Sequence, residues 1–140
     1  MCDSITGMSD SVFTKIIARE IPADIIYEDE KVLAFLDINP VSPGHTLLIT
    51  KEQYQWMQDV PDDLLQYTFT KAKELMKTLK KAMEADFVAL SVVGVDVPHF
   101  HIHLIPRKHN DGLEDFWPRT IYKEGEAKQT MEKIQENLSV

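Results

Sequence analysis

Short runs of apolar residues, some of them alternating strictly with polar ones, recur along the chain and predict β-strands. The first two runs are separated by Glu28-Asp29-Glu30-Lys31, a polar tetrapeptide that indicates a hairpin turn. The last run alternates with a period of two, and Pro106 is expected to end that strand. The predicted strands are residues 25–28, 32–36, 45–50, 87–93 and 99–105.

Apolar residues at helical intervals appear in three other segments. A short helix is expected over residues 12–18, with Asp10 or Ser11 as its N-cap. The longest helix is expected over residues 62–84, where Pro61 suits a helix start, and a weaker pattern predicts a helix over residues 123–137. Because the strands fall into hairpins, the mixture favours an α+β fold, an antiparallel sheet with packed helices.

The total length and composition fit a small globular protein. The 140 residues suit one domain, which we place at residues 10–140, and residues 1–9 lack periodicity and are expected to be disordered. No run approaches the roughly 20 apolar residues of a membrane span, and no signal-peptide pattern opens the chain, so no membrane partner is expected. Cys2 is the only cysteine, which excludes an internal disulfide and fits a reducing, cytoplasmic location.

The net charge of −8 restricts the partners. A nucleic acid polymer is disfavoured, because binding a polyanion requires a basic surface. A small nucleotide is still compatible with this charge, since one or two phosphates need only a local cluster of donors.

Three of the five histidines lie within five residues, at His99, His101 and His103. Side chains two residues apart on a strand share a face, so the three rings are expected on one face, roughly 6.6 Å apart along the strand. Phe100 and Ile102 lie between them and are expected to face the core.

Three interpretations of this histidine face are open. It is a polar sheet surface, or a metal site that recruits His45 or Asp37, or a nucleophilic centre that attacks phosphorus. The sequence offers no cysteine pair for a metal, and Asp96 is the only acid close to the histidines along the chain. A neutral imidazole is a good nucleophile at pH 7 and a good leaving group once phosphorylated, so we favour the third interpretation, without metal or other cofactor.

The alternating stretch His99-Phe100-His101-Ile102-His103 resembles the signature of the histidine triad (HIT) family, nearest to its Hint-like and Fhit-like branches. Further segments resemble the family in the same order over about residues 10–107. They are Val12-Phe13-Thr14-Lys15-Ile16-Ile17, Glu20-Ile21-Pro22, Tyr27-Glu28-Asp29, residues 32–40, Pro43-Gly44-His45-Thr46-Leu47-Leu48-Ile49, and Gly94 with Val97-Pro98.

The resemblance implies a HIT-like fold, a homodimer whose sheet continues across the subunits, and a purine nucleotide ligand. It implies that His101 attacks the α-phosphorus and carries a nucleotidyl-histidine intermediate, and that His99 and His103 assist. The remaining implied site residues are Asp37 at the ribose hydroxyls, His45 as a support beside the triad, and a base pocket of Phe13, Ile16, Phe35 and Ile38.

The chain departs from the family at three places. Some members carry two zinc-binding cysteines in the first helix, and this chain has Ser11 and Thr14 there, so a zinc site is not expected. A hydroxyl residue often contacts phosphate ahead of the triad, and this chain has Gly94-Val95-Asp96 there, where a carboxylate facing inwards would repel phosphate. Phe116-Trp117-Pro118 comes early for the tryptophan-bearing tail and is a candidate border of the pocket.

These features together predict a hydrolase or transferase acting at the α-phosphorus of a nucleotide. Phosphoramidates are the first choice of substrate, and dinucleoside polyphosphates the second. The alternative is a purine nucleotide-binding or scaffold protein with little turnover, which the acid at Asp96 favours.

Overall fold

The computed structural model describes residues 10–113 and 119–139. Their centre is a five-stranded antiparallel sheet, which confirms the predicted α+β class. The strands are β1 Ile25–Glu28, β2 Val32–Leu36, β3 Thr46–Thr50, β4 Phe87–Ser91 and β5 His101–Arg107. The helices are α1 Val12–Ile17, α2 Asp62–Ala82 and α3 Glu126–Glu136, and a single 3-10 turn spans Met57–Asp59. The predictions for residues 1–9 and for Trp117 lie outside the described residues.

The strand that carries the histidines occupies an inner position. The order across the sheet is β1-β2-β3-β5-β4, so β5 pairs with β3 on one side and with β4 on the other. The connection from β3 to β4 passes through α2 and leaves room for β5 between them. A strand held on both sides is a rigid platform for side chains that must keep a fixed geometry.

Each face of the sheet has its own hydrophobic core. On one face, α2 packs against a core that includes Ile102 and Leu104 of β5 and Phe100 just before it. On the other, Phe13 and Ile16 of α1 pack against Leu33, Phe35, Leu47 and Ile49. Since Phe100, Ile102 and Leu104 belong to the first core, the histidines between them face the side where α1 lies.

The structure corrects both ends predicted for the last strand. The strand begins at His101, although His99 already faces the same side, and it continues through Pro106 to Arg107. Pro106 lacks an N–H, but its carbonyl accepts a bond from Ser42 Oγ in the loop between β2 and β3 (2.5 Å). The N and C=O of a strand residue point to the same side, so the ring nitrogen faces this loop and not a paired strand.

Other boundaries differ by one to three residues. The third strand starts at Thr46, β4 ends at Ser91, α2 ends at Ala82, and the last helix is shorter at both ends. At the first helix, Ser11 is the N-cap, and its hydroxyl accepts a bond from the Thr14 amide. In the described parts of the chain, no helix is long and apolar enough to cross a membrane.

Candidate active site

Three histidine rings lie side by side under helix α1. The centroids of His101 and His103 are 4.9 Å apart, and the edge of Phe13 meets the His101 ring at 5.0 Å. Phe13 also contacts His99, at 5.8 Å between ring centroids. The face predicted from the alternation is therefore formed, with an apolar helix residue against two of its rings.

Both ring nitrogens of His99 are used inside the protein. Nε2 lies 2.6 Å from the Thr50 carbonyl, which can only accept, so Nε2 carries the proton. Nδ1 lies 3.0 Å from Ser11 Oγ, which therefore donates to it. His99 is fully buried, and burial lowers its pKa. Its ring is thus neutral and fixed, which suits a positioning residue.

His101 presents one unengaged lone pair. Its Nδ1 donates to the carbonyl of His99 at 2.7 Å, so the lone pair is on Nε2. No residue within 10–113 or 119–139 bonds to that Nε2. Among the same residues, no buried side-chain nitrogen or oxygen lacks a partner, so Nε2 reaches the surface although the residue is only 4% exposed. A ring that is held through Nδ1 and presents the lone pair of Nε2 at the surface is suited to act as a nucleophile.

His103 is bonded to a fourth histidine, His45, with 3.0 Å between His103 Nδ1 and His45 Nε2. The amide of Val41 donates to His45 Nδ1 at 3.0 Å. Because Nδ1 of His45 accepts, its proton is on Nε2 and is donated to His103. The proton of His103 is then on its own Nε2, which has no partner among the described residues.

Burial keeps the rings of His103 and His45 neutral near pH 7. Burial is the largest cause that lowers the pKa of His103 to about 4, and the nearby His101 and His45 add to it. Burial likewise lowers the pKa of His45, against the opposing charge of Asp37. A neutral His45 can donate to His103, and a neutral His103 keeps one N–H free to donate to a ligand.

The two acids near the site have different surroundings. Asp37 accepts a bond from the Asn39 amide at 2.8 Å, as in an Asx turn, and its other oxygen lies 3.6 Å from His45 Nε2. Asp96 is exposed, and its charge acts on His103 to raise the pKa, in the same direction as Asp37. Asp96 is therefore close enough to influence the triad.

A metal could draw on Asp37, His45 and His103, whose ligand atoms all lie within 4.8 Å of one another. A neutral histidine that binds metal through Nε2 carries its proton on Nδ1. At His45 the Val41 amide already points a proton at Nδ1, so metal binding there would break that bond or require an imidazolate. The hydrogen-bond pattern thus favours proton chemistry over metal ligation at these residues.

The predicted base-pocket residues differ in exposure. Phe13, Ile16 and Phe35 are at most 7% exposed and belong to the core under α1, so any contact with a ligand uses their small exposed edges. Ile38 is 86% exposed and is free to pack against a ligand. Gly94 has a φ of +84° and lies against the Trp56 ring, where an added Cβ would be 3.4 Å from ring atoms.

Sequence reasoning missed the polar network that fixes His99. Thr14 Oγ1 donates to Gln53 Oε1 at 3.4 Å, and Gln53 Nε2 donates to the Pro98 carbonyl at 2.9 Å. From the sequence, Ser11 is a candidate helix cap and Ser11 and Thr14 replace cysteines, and neither residue is assigned a contact with the triad. The S-x-x-T spacing of a helix cap was the available signal, but it does not indicate a bond to a histidine 88 residues away.

Comparison with known proteins identifies the family. The HIT domain model matches residues 18–110, so the chain belongs to the histidine triad family. A HIT-like protein of Methanocaldococcus jannaschii, described as uncharacterized, is 44% identical over 72% of this chain and 81% of its own length. The adenylylsulfatase HINT3 of Arabidopsis thaliana is 33% identical over 97% of this chain and 73% of its own. The adenosine 5'-monophosphoramidase HNT1 of Saccharomyces cerevisiae is 37% identical over 76% and 69%.

The solved structures agree with this assignment. A HIT family protein from Bacillus subtilis superposes with a TM-score of 0.81 at 31% identity, covering 94% of this chain and 99% of that one. The HIT fold predicted from the sequence is thereby confirmed.

Proposed function

We propose that this HIT protein is a hydrolase that releases a nucleoside monophosphate by attack of His101 on the α-phosphorus of a nucleotide. The observation that carries the proposal is the one lone pair of the triad rings that no described residue engages, on Nε2 of His101, at the surface of a rigid inner strand. The other ring nitrogens of the triad are bonded within the protein, apart from the Nε2–H of His103.

The first step forms the nucleotidyl-histidine. The lone pair of His101 Nε2 bonds to phosphorus, and the bond to the leaving nitrogen or oxygen breaks, with its electrons going to the leaving atom. That atom takes one proton from water. The hydroxide so formed then bonds to phosphorus, the P–N bond to His101 breaks, and the ring is regenerated.

The neighbouring groups have separate tasks in this proposal. The Nε2–H of His103 donates to a phosphoryl oxygen that gains charge during attack. The carbonyl of His99 accepts from Nδ1 of His101 and stabilises the positive charge that the ring acquires. His45 supports His103, Asp37 binds the ribose hydroxyls, and Gly94 and Asp96 border the phosphates.

The relatives support the class of substrate. The names of two of them describe an adenylylsulfatase and an adenosine 5'-monophosphoramidase, both of which act on adenylyl compounds. A purine nucleoside phosphoramidate is our first choice, and a dinucleoside polyphosphate is the second. Ile38 and the edges of Phe13, Ile16 and Phe35 form the proposed base pocket.

The test replaces His101 with Gly and follows the turnover of adenosine phosphoramidate. We expect at least a ~10³-fold loss of kcat, because the bond-forming atom is removed. His109→Ala is the matched control, since His109 is exposed and lies beyond the C-terminal end of β5. Wild-type protein quenched in alkaline denaturant should carry an added nucleotidyl mass at His101.

A second candidate is nucleotide binding with little turnover. The charge of Asp96 acts on the triad, and a carboxylate so placed opposes an incoming phosphate. Tight AMP binding by the wild type, with neither turnover nor a covalent adduct, would favour this candidate. Turnover that survives His101→Gly would contradict the catalytic proposal.

A further inference from the structure

We propose that the backbone amide of Val41 fixes the tautomer of His103, acting through His45, and so keeps a hydrogen-bond donor directed at the phosphoryl group. This inference rests on the proposed function and assigns a positioning role to an atom outside the triad. It depends on one chain of hydrogen bonds, which runs from the loop between β2 and β3 into the triad.

The first link is at His45. The ring is only 4% exposed and is held from both ends, by the Val41 amide at Nδ1 and by His103 at Nε2, each at 3.0 Å. An amide N–H can only donate, so Nδ1 of His45 is a permanent acceptor. A proton on Nδ1 would face the amide proton directly, which makes that tautomer and the doubly protonated ring unfavourable.

The second link transfers this constraint to His103. With its proton on Nε2, His45 is the donor to His103 Nδ1, so His103 carries its own proton on Nε2. In the opposite state, His45 would accept, His103 would be protonated on Nδ1, and its Nε2 would present a second lone pair beside His101. That lone pair would repel the phosphoryl oxygens, and the donor would be lost.

The loop that holds Val41 is itself anchored to the strand of the triad. Ser42 Oγ donates to the Pro106 carbonyl of β5 at 2.5 Å, and the Ser42 carbonyl accepts from the His45 amide at 3.0 Å. The Asp37 amide donates to the His45 carbonyl at 2.9 Å and closes the base of the loop. The amide is therefore fixed relative to β5, whereas the Val41 side chain is 50% exposed.

The test separates the amide from the side chain. Replacing the peptide bond before residue 41 with an ester, by incorporating the α-hydroxy analogue of valine, removes the N–H and keeps the side chain. Val41→Ala is the matched control, because it keeps the N–H and removes most of the side chain. Two-bond ¹H–¹⁵N correlations of the imidazoles report the tautomers directly.

In the wild type and in Val41→Ala, we expect both His45 and His103 to be protonated on Nε2. In the ester protein, we expect a mixture of tautomers at His45 and His103 and a fall in kcat of about 10-fold, less than the ~10²-fold or more of losing a whole oxyanion donor. A second measurement compares the substrate with its phosphorothioate analogue, in which sulfur replaces one non-bridging phosphoryl oxygen. The ratio of the rate with oxygen to the rate with sulfur should fall towards 1 in the ester protein only.

An Nδ1-protonated His103 in the wild type would overturn the inference, and so would an ester protein with wild-type tautomers and an unchanged oxygen-to-sulfur ratio. If the ester protein does not fold, the wild-type spectrum alone decides. These outcomes are independent of the His101→Gly test, because the tautomers are read without substrate or turnover.

Discussion

Burial sets the charge of the individual histidines. A buried imidazolium loses its hydration, and within residues 10–113 and 119–139 no carboxylate makes a hydrogen bond of ordinary length to any triad ring. His45, His99 and His103 therefore all have a pKa below the ordinary value of 6.5, with burial as the main cause. Because the fold keeps these rings neutral, its stability should decrease in acid.

We predict that stability falls as pH is lowered from about 6.5 towards 4. The unfolded chain takes up protons on these histidines near pH 6.5, while folded His103 resists until about pH 4. The free energy of unfolding should then fall by about 1.4 kcal/mol per pH unit for each histidine kept neutral. Urea unfolding at pH 7.5, 6.5, 5.5 and 5.0 measures it. A flat stability between pH 6.5 and 5 would contradict the argument.

The sequence predicted the positions of these residues better than their bonds. Alternation depends only on neighbours along the chain, so it placed His99, His101 and His103 on one face. The protonation of His99 and His103 depends on partners 49, 58 and 88 residues away, at Thr50, His45 and Ser11. Pairings at that separation are set by sheet order, which local pattern does not contain.

At the scale of elements, the loop between β2 and β3 is built around Gly44. Its φ is +93°, and an added Cβ would lie 2.8 Å from Met83 Cγ and 3.1 Å from Pro106 Cγ. Glycine is thus favoured at this position for two reasons. Its φ lies in the left-handed region, and the side chains of Met83 and Pro106 leave no room for a Cβ. The next residue is His45, which is bonded to His103, so a distortion of the backbone at Gly44 would displace a ring that contacts the triad.

We predict that Gly44→Ala lowers stability by about 1–3 kcal/mol and also lowers kcat. Gly112→Ala is the matched control, because Gly112 has a similar φ of +78° with no atom within 4 Å of an added Cβ. It should lose only about 1 kcal/mol and keep its activity. Chemical unfolding and phosphoramidate turnover measure both effects, and equal losses in the two variants would refute the role of the close contact.

Element boundaries were predicted within a few residues, and the clear error has a physical cause. Proline was expected to end the last strand because it cannot donate to a ladder. At Pro106 the pairing of β5 with Val88 of β4 persists, whereas on the other side the pairing of β5 with β3 stops at Leu104. Whether a strand tolerates proline therefore depends on where its neighbours stop, which is a property of the assembled sheet.

For the whole molecule, the two edges of the sheet differ in their capacity to pair with a strand of a second molecule. On β1, Glu28 forms ion pairs with Arg19 and Lys51, and the register shifts between Ile25 and Tyr27. Charges and irregularities of this kind block further strands. The other edge, β4, is regular and carries no charged residue over its five positions.

We predict that a homodimer, if formed through the sheet, uses β4. Leu90→Lys, at a 40% exposed position of β4, should shift the protein towards monomer by placing like charges together at the new interface. Ile26→Lys is the control on β1, where the exposed fraction is 42%. Light scattering after size exclusion gives the mass, and a dimer that survives Leu90→Lys but not Ile26→Lys would assign the interface to the opposite edge.

The hydrogen bonds at both ends of the histidine stretch have a consequence for chemical selectivity. Acylating reagents such as diethyl pyrocarbonate need an accessible imidazole lone pair. His45 and His99 use both nitrogens, and His103 uses its lone pair on His45. In the native fold, a reagent in solution therefore finds reactive nitrogens at His101 and at exposed His109, two of the five histidines. A bound nucleotide should protect His101 and leave His109 reactive. The extent of modification of His101, measured by mass spectrometry, therefore reports how much of the site is occupied.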